Sequence, residues 1–343
     1  MTVPLLEVQD LHVRFPVRSG LLQRVTSEVQ AVAGVSFSVA QGEAFGLVGE
    51  SGCGKTTVAR AVLQLEVPSA GEIMFDGERM TGRDRAGLVP FRRRVQAIFQ
   101  DPFSSLNPRM TAGAILAEPI RVHRLAPAPQ VGARVARLLD LVGLPARFAE
   151  LYPHEMSGGQ RQRIGIARAL AMEPDLVVCD EAVSALDVSI QAQIINLLAE
   201  LRRELGLTYL FIGHDLSVVR HLCDRVAVMY LGRIMEQAAS GPLFAAPAHP
   251  YTRALLDAVP SPDPEQEGGR AVTPLEGEVP SPANPPSGCV FHPRCPVAID
   301  RCRKDAPAIA PVAPGHTAAC WLAETITTKT TKTEIRQHKE VIQ

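Results

Sequence analysis

The chain lacks any apolar run that reaches the ~18 residues of a membrane-spanning helix, which excludes a helical span from its sequence. It has almost no net charge, −1 over 343 residues. A global basic field for nucleic acid or an anionic membrane is therefore absent, and no nucleic-acid partner is expected. The opening stretch Met1 to Glu7 has neither a basic region nor a long apolar one, so no secretory leader is expected. The expected compartment is the cytosol, with any membrane association made through protein partners. No internal repeat is found. The sequence also has no CxxC pair, so the usual spacing of a structural zinc site is missing.

What the chain does have is length and apolar content enough for two domains. It also has one stretch of strong chemical meaning, Gly49-Glu50-Ser51-Gly52-Cys53-Gly54-Lys55-Thr56. This has the form GxxxxGK[ST]. The preceding Gly42–Val48 reads as a short buried strand, and Thr57–Leu63 carries apolar residues at helical spacing, so the stretch sits between strand and helix as a phosphate-binding loop requires. Glycines let the backbone approach the phosphates, and successive N–H groups form an anion nest. The helix start adds its positive dipole end. Lys55 reaches the β- and γ-phosphates, and the Thr56 hydroxyl can ligate Mg²⁺.

Taken in order, Leu5–Phe15 and Ala31–Val39 read as opening strands, and the polar Gly20–Gln30 between them as an inserted loop. Glu72–Gly77 is a further strand and turn, and Val95–Gln100 a strand ending in glutamine. Helical spacing over 112–118 and 131–142 predicts a helical insertion at about 101–158. Met156-Ser157-Gly158-Gly159-Gln160 opens a long helix. Asp175–Glu181 is an apolar strand ending in two acids, Ser189–Leu205 an amphipathic helix, and Leu207–Asp215 a strand carrying His214 at its end. Val226–Gly232 and Arg233–Glu236 form a hairpin. Alternating strands and helices around the loop predict an α/β core with a largely parallel sheet. From Pro260 to Pro286 eight prolines mark an extended linker. Thr325–Gln343 is polar and reads as a disordered tail. The expected domains are 1–258, 259–324 and 325–343.

A strand-end Gln, a Ser-Gly-Gly-Gln stretch and a strand-end Asp-Glu follow the phosphate loop in that order. With these residues the chain resembles the ATPase subunits of ABC transporters. The match spans about residues 4–325. Met156–Gln160 corresponds to the LSGGQ signature, with Met for Leu, and Ser184–Asp187 to the D-loop. Phe15 lies where that family stacks an aromatic ring on adenine. Gln100–Met110 (QDPFSSLNPRM), Ser184–Gln193 (SALDVSIQAQ), His249–Leu256 (HPYTRALL) and Gly288–Pro296 (GCVFHPRCP) resemble more narrowly the dipeptide/oligopeptide importer ATPases. The longer loop before Ala31 is similar to that of the second of their two ATPases.

The resemblance implies a P-loop NTPase cassette: a RecA-like core, an antiparallel β subdomain and a helical subdomain, followed by a small Cys-rich extension. It implies ATP hydrolysis between two subunits set head to tail, in a heterodimer. Phe15, the loop residues Gly49–Thr56 and Thr57 would bind ATP, as would Ser157, Gly159 and Gln160 from across the interface. Thr56, Gln100 and Asp180 would hold Mg²⁺. Glu181 would polarise the attacking water, with His214 and Gln100 as the other catalytic groups, and Asp187 would cross the dimer interface. Two permease subunits would dock near Arg109–Glu118 at the cytoplasmic face of the inner membrane, and an extracytoplasmic binding protein would act indirectly. Peptides are the implied cargo; nickel or another small solute remains open, as does a soluble ATPase outside transport.

Cys53, Cys179 and Cys223 are scattered and read as small apolar fillers. Cys289, Cys295, Cys302 and Cys320 crowd one segment, and their thiolates could close a zinc site or hold an iron–sulfur cluster. His292 and His316 are alternative ligands. The resemblance implies a [4Fe-4S] cluster on the four cysteines, with zinc or free thiols as alternatives.

Overall fold

The computed structural model describes residues 3–19, 24–101, 105–258 and 277–326. Residues 259–276 of the proline-marked stretch, Pro102, Phe103 and Ser104 of the QDPFSSLNPRM stretch, and the tail beyond 326 lie outside the described residues.

The centre is an eight-stranded sheet. Five of its strands are parallel: β3 (Ala44–Val48), β6 (Val95–Ile98), β7 (Leu176–Asp180), β8 (Thr208–Gly213) and β9 (Arg225–Tyr230). All five residues of β3 and all six of β8 are buried, the continuous apolar pattern of a strand covered on both faces. Alternation still sorts the faces. Phe45, Leu47, Leu210 and Ile212 point into one core with the N-terminal sheet, while Ala44, Val48, Tyr209 and Phe211 point into the other with the helices. Order across the five runs β9-β3-β8-β7-β6, so all their carboxyl ends lie along one edge.

The second sheet holds β1 (Leu6–Ser19), β2 (Arg24–Val39), β4 (Ala70–Phe75) and β5 (Glu78–Arg79) in the order β2-β1-β4-β5. Here the structure corrects the expected loop over Gly20–Gln30. The β1–β2 pairing continues from Leu6↔Val39 out to Ser19↔Arg24, so the polar stretch is mainly an extended hairpin arm. Where burial is described, the arm is solvated: Arg14 to Val17 and Ser27 to Glu28 are exposed, so no apolar alternation is required of them.

Among the described residues the α-helices are α1 (Lys55–Val62), α2 (Val89–Arg94), α3 (Ala112–Val122), α4 (Val131–Leu141), α5 (Gly158–Leu170), α6 (Val188–Leu205), α7 (Leu216–Leu222), α8 (Ser240–Ala245), α9 (Pro250–Asp257) and α10 (Asp300–Lys304). The expected helical insertion is present: Ile115, Leu116 and Ile120 of α3 pack with Val135, Leu138 and Leu139 of α4 and Ile164 of α5. Helix α5 starts two residues later than the periodicity suggests. Ser157 is its N-cap, accepting from the Gln160 N–H, while the Gln160 side chain accepts from the Ser157 N–H at 2.9 Å. Helix α6 stops at Gly206, whose φ of +66° suits the left-handed C-cap.

Part of residues 277–326 pairs with the cassette's sheet. Strands β11 (Ala310–Ala313) and β12 (His316–Ala318) join the central sheet, with β12 antiparallel to β10 (Arg233–Ala239). The join is locked by Glu236, fully buried on β10. Its carboxylate accepts from the N–H groups of Ala248 (2.7 Å) and His249 (2.9 Å), and lies 2.7 Å from His316 Nε2. Beside it Phe291, also fully buried, sits 5.3 Å from both the Tyr230 and Tyr251 rings.

Candidate ATP site

In open α/β sheets ligands bind outside the carboxyl ends of parallel strands, and that edge collects the expected chemistry. The Gly49–Thr56 loop follows β3. Asp180 and Glu181 end β7, His214 follows β8, and Gln100 lies two residues past β6. The strand expected to run to Gln100 ends at Ile98, leaving Phe99 and Gln100 exposed.

The loop is shaped by its own backbone. Gly49 has φ +153°, and a Cβ there would lie 2.1 Å from the Met229 carbonyl oxygen. At Gly54, φ +106°, it would lie 2.2 Å from that of Ala31. No side chain fits at either position. Lys55 is buried, and its Nζ donates to the carbonyls of Gly49 (2.8 Å) and Glu50 (2.9 Å), which holds the loop closed over it. The Cys53 thiol sits 3.7 Å from the same Nζ; burial raises it above the usual thiol range although Lys55 pulls it down. Ser51, Gly52 and Thr56 are exposed.

The Thr56 hydroxyl donates to Asp180 Oδ1 at 3.2 Å. Burial raises the Asp180 carboxyl, opposed by that hydrogen bond. Two oxygen donors this close on either side of a phosphate loop suit a hard cation such as Mg²⁺. Glu181 has φ +48°, which is uncommon for a residue with a side chain and costs on the order of 1 kcal/mol. Its conformation is fixed on both sides: its N–H donates to the Ile212 carbonyl at 2.9 Å, and its carbonyl accepts from the Ser184 hydroxyl at 3.0 Å. Glu181 Oε1 lies 3.8 Å from His214 Nδ1.

The other expected residues are spread more widely. Phe15 is half-exposed on the hairpin arm. Ser157 is exposed at the start of α5, and the hydrogen bonds of Ser157 and Gln160 close on their own helix rather than on the loop. Gly159 is buried, and a Cβ there would meet Ile190 Cγ2 at 2.6 Å. Asp187 is exposed at the N-cap of α6.

Cys53, Cys179 and Cys223 are buried as expected. Burial pushes the Cys179 thiol up to about 12 and raises that of Cys223 as well. Cys289, Cys295, Cys302 and Cys320 carry free thiols and line one small cavity together with His292 and Trp321. Among the described residues no three His, Cys, Asp or Glu side chains are arranged to hold a metal ion, so neither the expected [4Fe-4S] cluster nor the zinc alternative gains support from the cysteine geometry. His316 is committed to Glu236 instead.

Three residues near the site were missed. Buried Gln162 on α5 donates to the Ala182 carbonyl at 2.6 Å, tying the signature helix to the residue after Glu181. Tyr251 accepts from the Glu50 N–H at 2.9 Å. Arg294 donates to Glu50 Oε2 (2.6 Å) and Oε1 (3.0 Å). Tyr251 and Arg294 lie inside stretches already singled out, HPYTRALL and GCVFHPRCP, but nothing local in either stretch points to the loop.

Fold and site together define an ABC-type ATP-binding cassette. The ABC transporter family profile matches residues 32–184, and that of the oligopeptide/dipeptide transporter C-terminal region matches residues 235–302. The oligopeptide transport ATP-binding protein AppF of Bacillus subtilis (strain 168) is 52% identical over 319 residues, 93% of this chain and 97% of that one. Among solved structures, cbiO1 of Clostridium perfringens, part of an ABC transporter complex, superposes with TM-score 0.61 at 28% identity, covering 71% of this chain and 91% of that one. A dimeric ATP-binding cassette in a post-hydrolysis state with ADP and Pi superposes with TM-score 0.61 at 27% identity, covering 68% and 98%. The chain belongs to the ATP-binding subunits of oligopeptide/dipeptide ABC transporters. Among the described residues no helix is long and apolar enough to cross a membrane.

Proposed function

We propose that this chain is the ATP-hydrolysing subunit that powers import of di- and oligopeptides. It works with a second, different ATPase subunit and two permeases, peripherally at the cytoplasmic face of the inner membrane. The observation that carries the reading is the convergence of Lys55, Thr56, Asp180, Glu181 and His214 on one sheet edge, while Ser157 and Gly159 stand on another element. One chain thus has a complete phosphate site and a separate signature helix for a partner's nucleotide.

In this reading Phe15 stacks on adenine, and Gly49–Thr57 cradles the phosphates. Lys55, already aimed along the loop, neutralises phosphate charge. Thr56, Asp180 and Gln100 would hold Mg²⁺, which when bound would supply charge neutralisation for the phosphoryl group being transferred. Glu181 accepts the hydrogen bond that orients the attacking water, and His214 holds that water and the γ-phosphate in line. Ser157, Gly159 and Gln160 complete the partner's site at a helix N-terminus, and Asp187 crosses between subunits. Phosphoryl transfer of this kind works by positioning and charge stabilisation. The surface around Arg109–Glu118 receives the permease.

The four C-terminal cysteines are read as ligands of a [4Fe-4S] cluster. Such a cluster takes one thiolate per iron, and the four free thiols match that donor set in number and kind. When bound, the cluster would cross-link a segment with little regular structure.

The test is ATP-driven peptide uptake into vesicles containing the assembled subunits, beside iron, sulfide and zinc assays on the chain purified without oxygen. Uptake that needs this chain and its Lys55 supports the reading. Uptake of nickel but not peptides would overturn the cargo, and purified chain without iron or sulfide would overturn the cluster.

A further inference from the structure

Two stretches that mark the C-terminal half, HPYTRALL and GCVFHPRCP, meet on a single residue of the phosphate loop. Every polar group of Glu50 is held. Its N–H is bound by the Tyr251 hydroxyl (2.9 Å), its carbonyl by Lys55 Nζ (2.9 Å), and its carboxylate in a fork by Arg294 (2.6 and 3.0 Å). Tyr251 lies 201 residues and Arg294 244 residues beyond Glu50 in the chain. The Arg294 side chain is only 5% exposed. It lies beside the Tyr230 ring, and the turn that carries it is pinned by Phe291 against Tyr230 and Tyr251.

The charges explain why such a clamp is needed. Glu50 is the only carboxylate in Gly49–Thr56. Unpaired, a negative charge in an anion nest would oppose a triphosphate. Paired in a fork, the carboxylate and guanidinium cancel, and their geometry fixes the first half of the loop. Losing one partner of a buried pair leaves the other charge uncompensated.

We infer that Arg294 is a positioning residue for ATP: through Glu50, and together with Tyr251, the C-terminal region sets the shape and the charge of the phosphate-binding loop. The inference rests on reading that loop as the ATP site. It makes nucleotide affinity a property of the C-terminal region as well as of the cassette. A change around Cys295, the next residue, reaches the loop through one ion pair.

The experiment measures nucleotide affinity of the purified full-length chain by displacement of a fluorescent N-methylanthraniloyl-ATP. Arg294→Gln is expected to weaken ATP about tenfold, ADP less and AMP least, because the orphaned carboxylate repels in proportion to phosphate charge. Arg294→Lys, which keeps the charge and loses the fork, is expected to weaken ATP about threefold. Glu50→Gln combined with Arg294→Gln is expected to recover affinity to within about threefold of wild type, since no carboxylate is left uncompensated. An Arg294→Gln chain that binds ATP like wild type overturns the inference. So does an equal loss for ATP, ADP and AMP, or an unrescued double variant. Should Arg294→Gln fail to fold, Arg294→Lys decides: affinity equal to wild type overturns the inference. Lys55→Ala separates the two levels. If it binds ATP unchanged, the loop is not the ATP site and the underlying reading fails; if it loses ATP while Arg294→Gln does not, only the clamp fails.

Discussion

Glu181 shows how much one residue can be made to carry. A left-handed backbone at a non-glycine residue persists only where its surroundings enforce it, and here Ile212 and Ser184 do so. Glu181→Gln keeps that backbone and removes the charge. Nucleotide binding is expected to stay within about threefold and turnover to fall by at least about a hundredfold; turnover within a few-fold of wild type would remove Glu181 as the water-orienting group. His249 gives a second residue-scale prediction. Its Nδ1 accepts the Tyr251 N–H at the start of α9, which requires a neutral ring, and burial depresses its pKa to about 4. The unfolded ring titrates near 6.5. Between those values the unfolded chain binds the extra proton, so stability is full above about pH 6.5 and declines toward pH 4, by about 3 kcal/mol. Urea midpoints measured from pH 7.5 to 5 should fall for wild type and stay flatter for His249→Asn, which keeps a capping acceptor. Parallel profiles would assign the slope to other groups. At this scale the sequence was most legible where chemistry is local: Lys55 and Thr56 stand in one specific short pattern, whereas Asp180 and His214 drew their reading from following that pattern in order. Arg294 and Tyr251 were not, because an ion pair spanning 244 residues leaves no trace in the spacing around either partner.

At the scale of elements, readability followed burial. Strands β3, β7 and β8 are covered on both faces and were plain as apolar runs. In the hairpin arm of β1 and β2 the described residues Arg14 to Val17 and Ser27 to Glu28 are exposed, so the polar stretch looked like a loop while its backbone pairing continued. Helix α7, seven residues long, was too short for a period to show. Where α5 crosses α6, Gly159 provides the close approach. Gly159→Ala would set its methyl carbon 2.6 Å from Ile190 Cγ2. The expected result is a loss of about 1–3 kcal/mol in urea unfolding, from overpacking, together with weaker ATP-dependent association of subunits in light scattering. An unchanged unfolding midpoint would mean that Ile190 yields without cost.

For the whole molecule, the C-terminal segment is part of the cassette's construction. It supplies β12 to the sheet, His316 to Glu236 and Phe291 to the Tyr230–Tyr251 cluster. Sequence composition suggested a Pro-rich linker and a small Cys-rich region without a sheet strand, because β12 is three residues long; only long-range pairing identifies it as a sheet strand. A chain ending at residue 258 would leave the β10 edge open and the two tyrosines uncovered. Burying Phe291 alone is worth about 2–3 kcal/mol, and an open edge invites strand pairing between molecules. Such a truncated chain is expected to melt several degrees lower and to form oligomers in size-exclusion chromatography with light scattering. A monodisperse product with an unchanged melting point would show the cassette to be complete without the segment.

The pairing of β12 with β10 also sets a timetable. Strand β3 ends at Val48, but the strand that finishes its sheet ends only at Ala318. On a translating ribosome the phosphate loop therefore emerges long before the sheet behind it can close. At about 5–20 residues per second, the intervening stretch takes on the order of tens of seconds to be made. During that interval Glu50 has no Arg294, and the β10 edge has no neighbour. A ribosome that stalls within the last part of the message thus releases a chain with every ATP-site motif, an uncovered β10 edge and no Arg294 for Glu50.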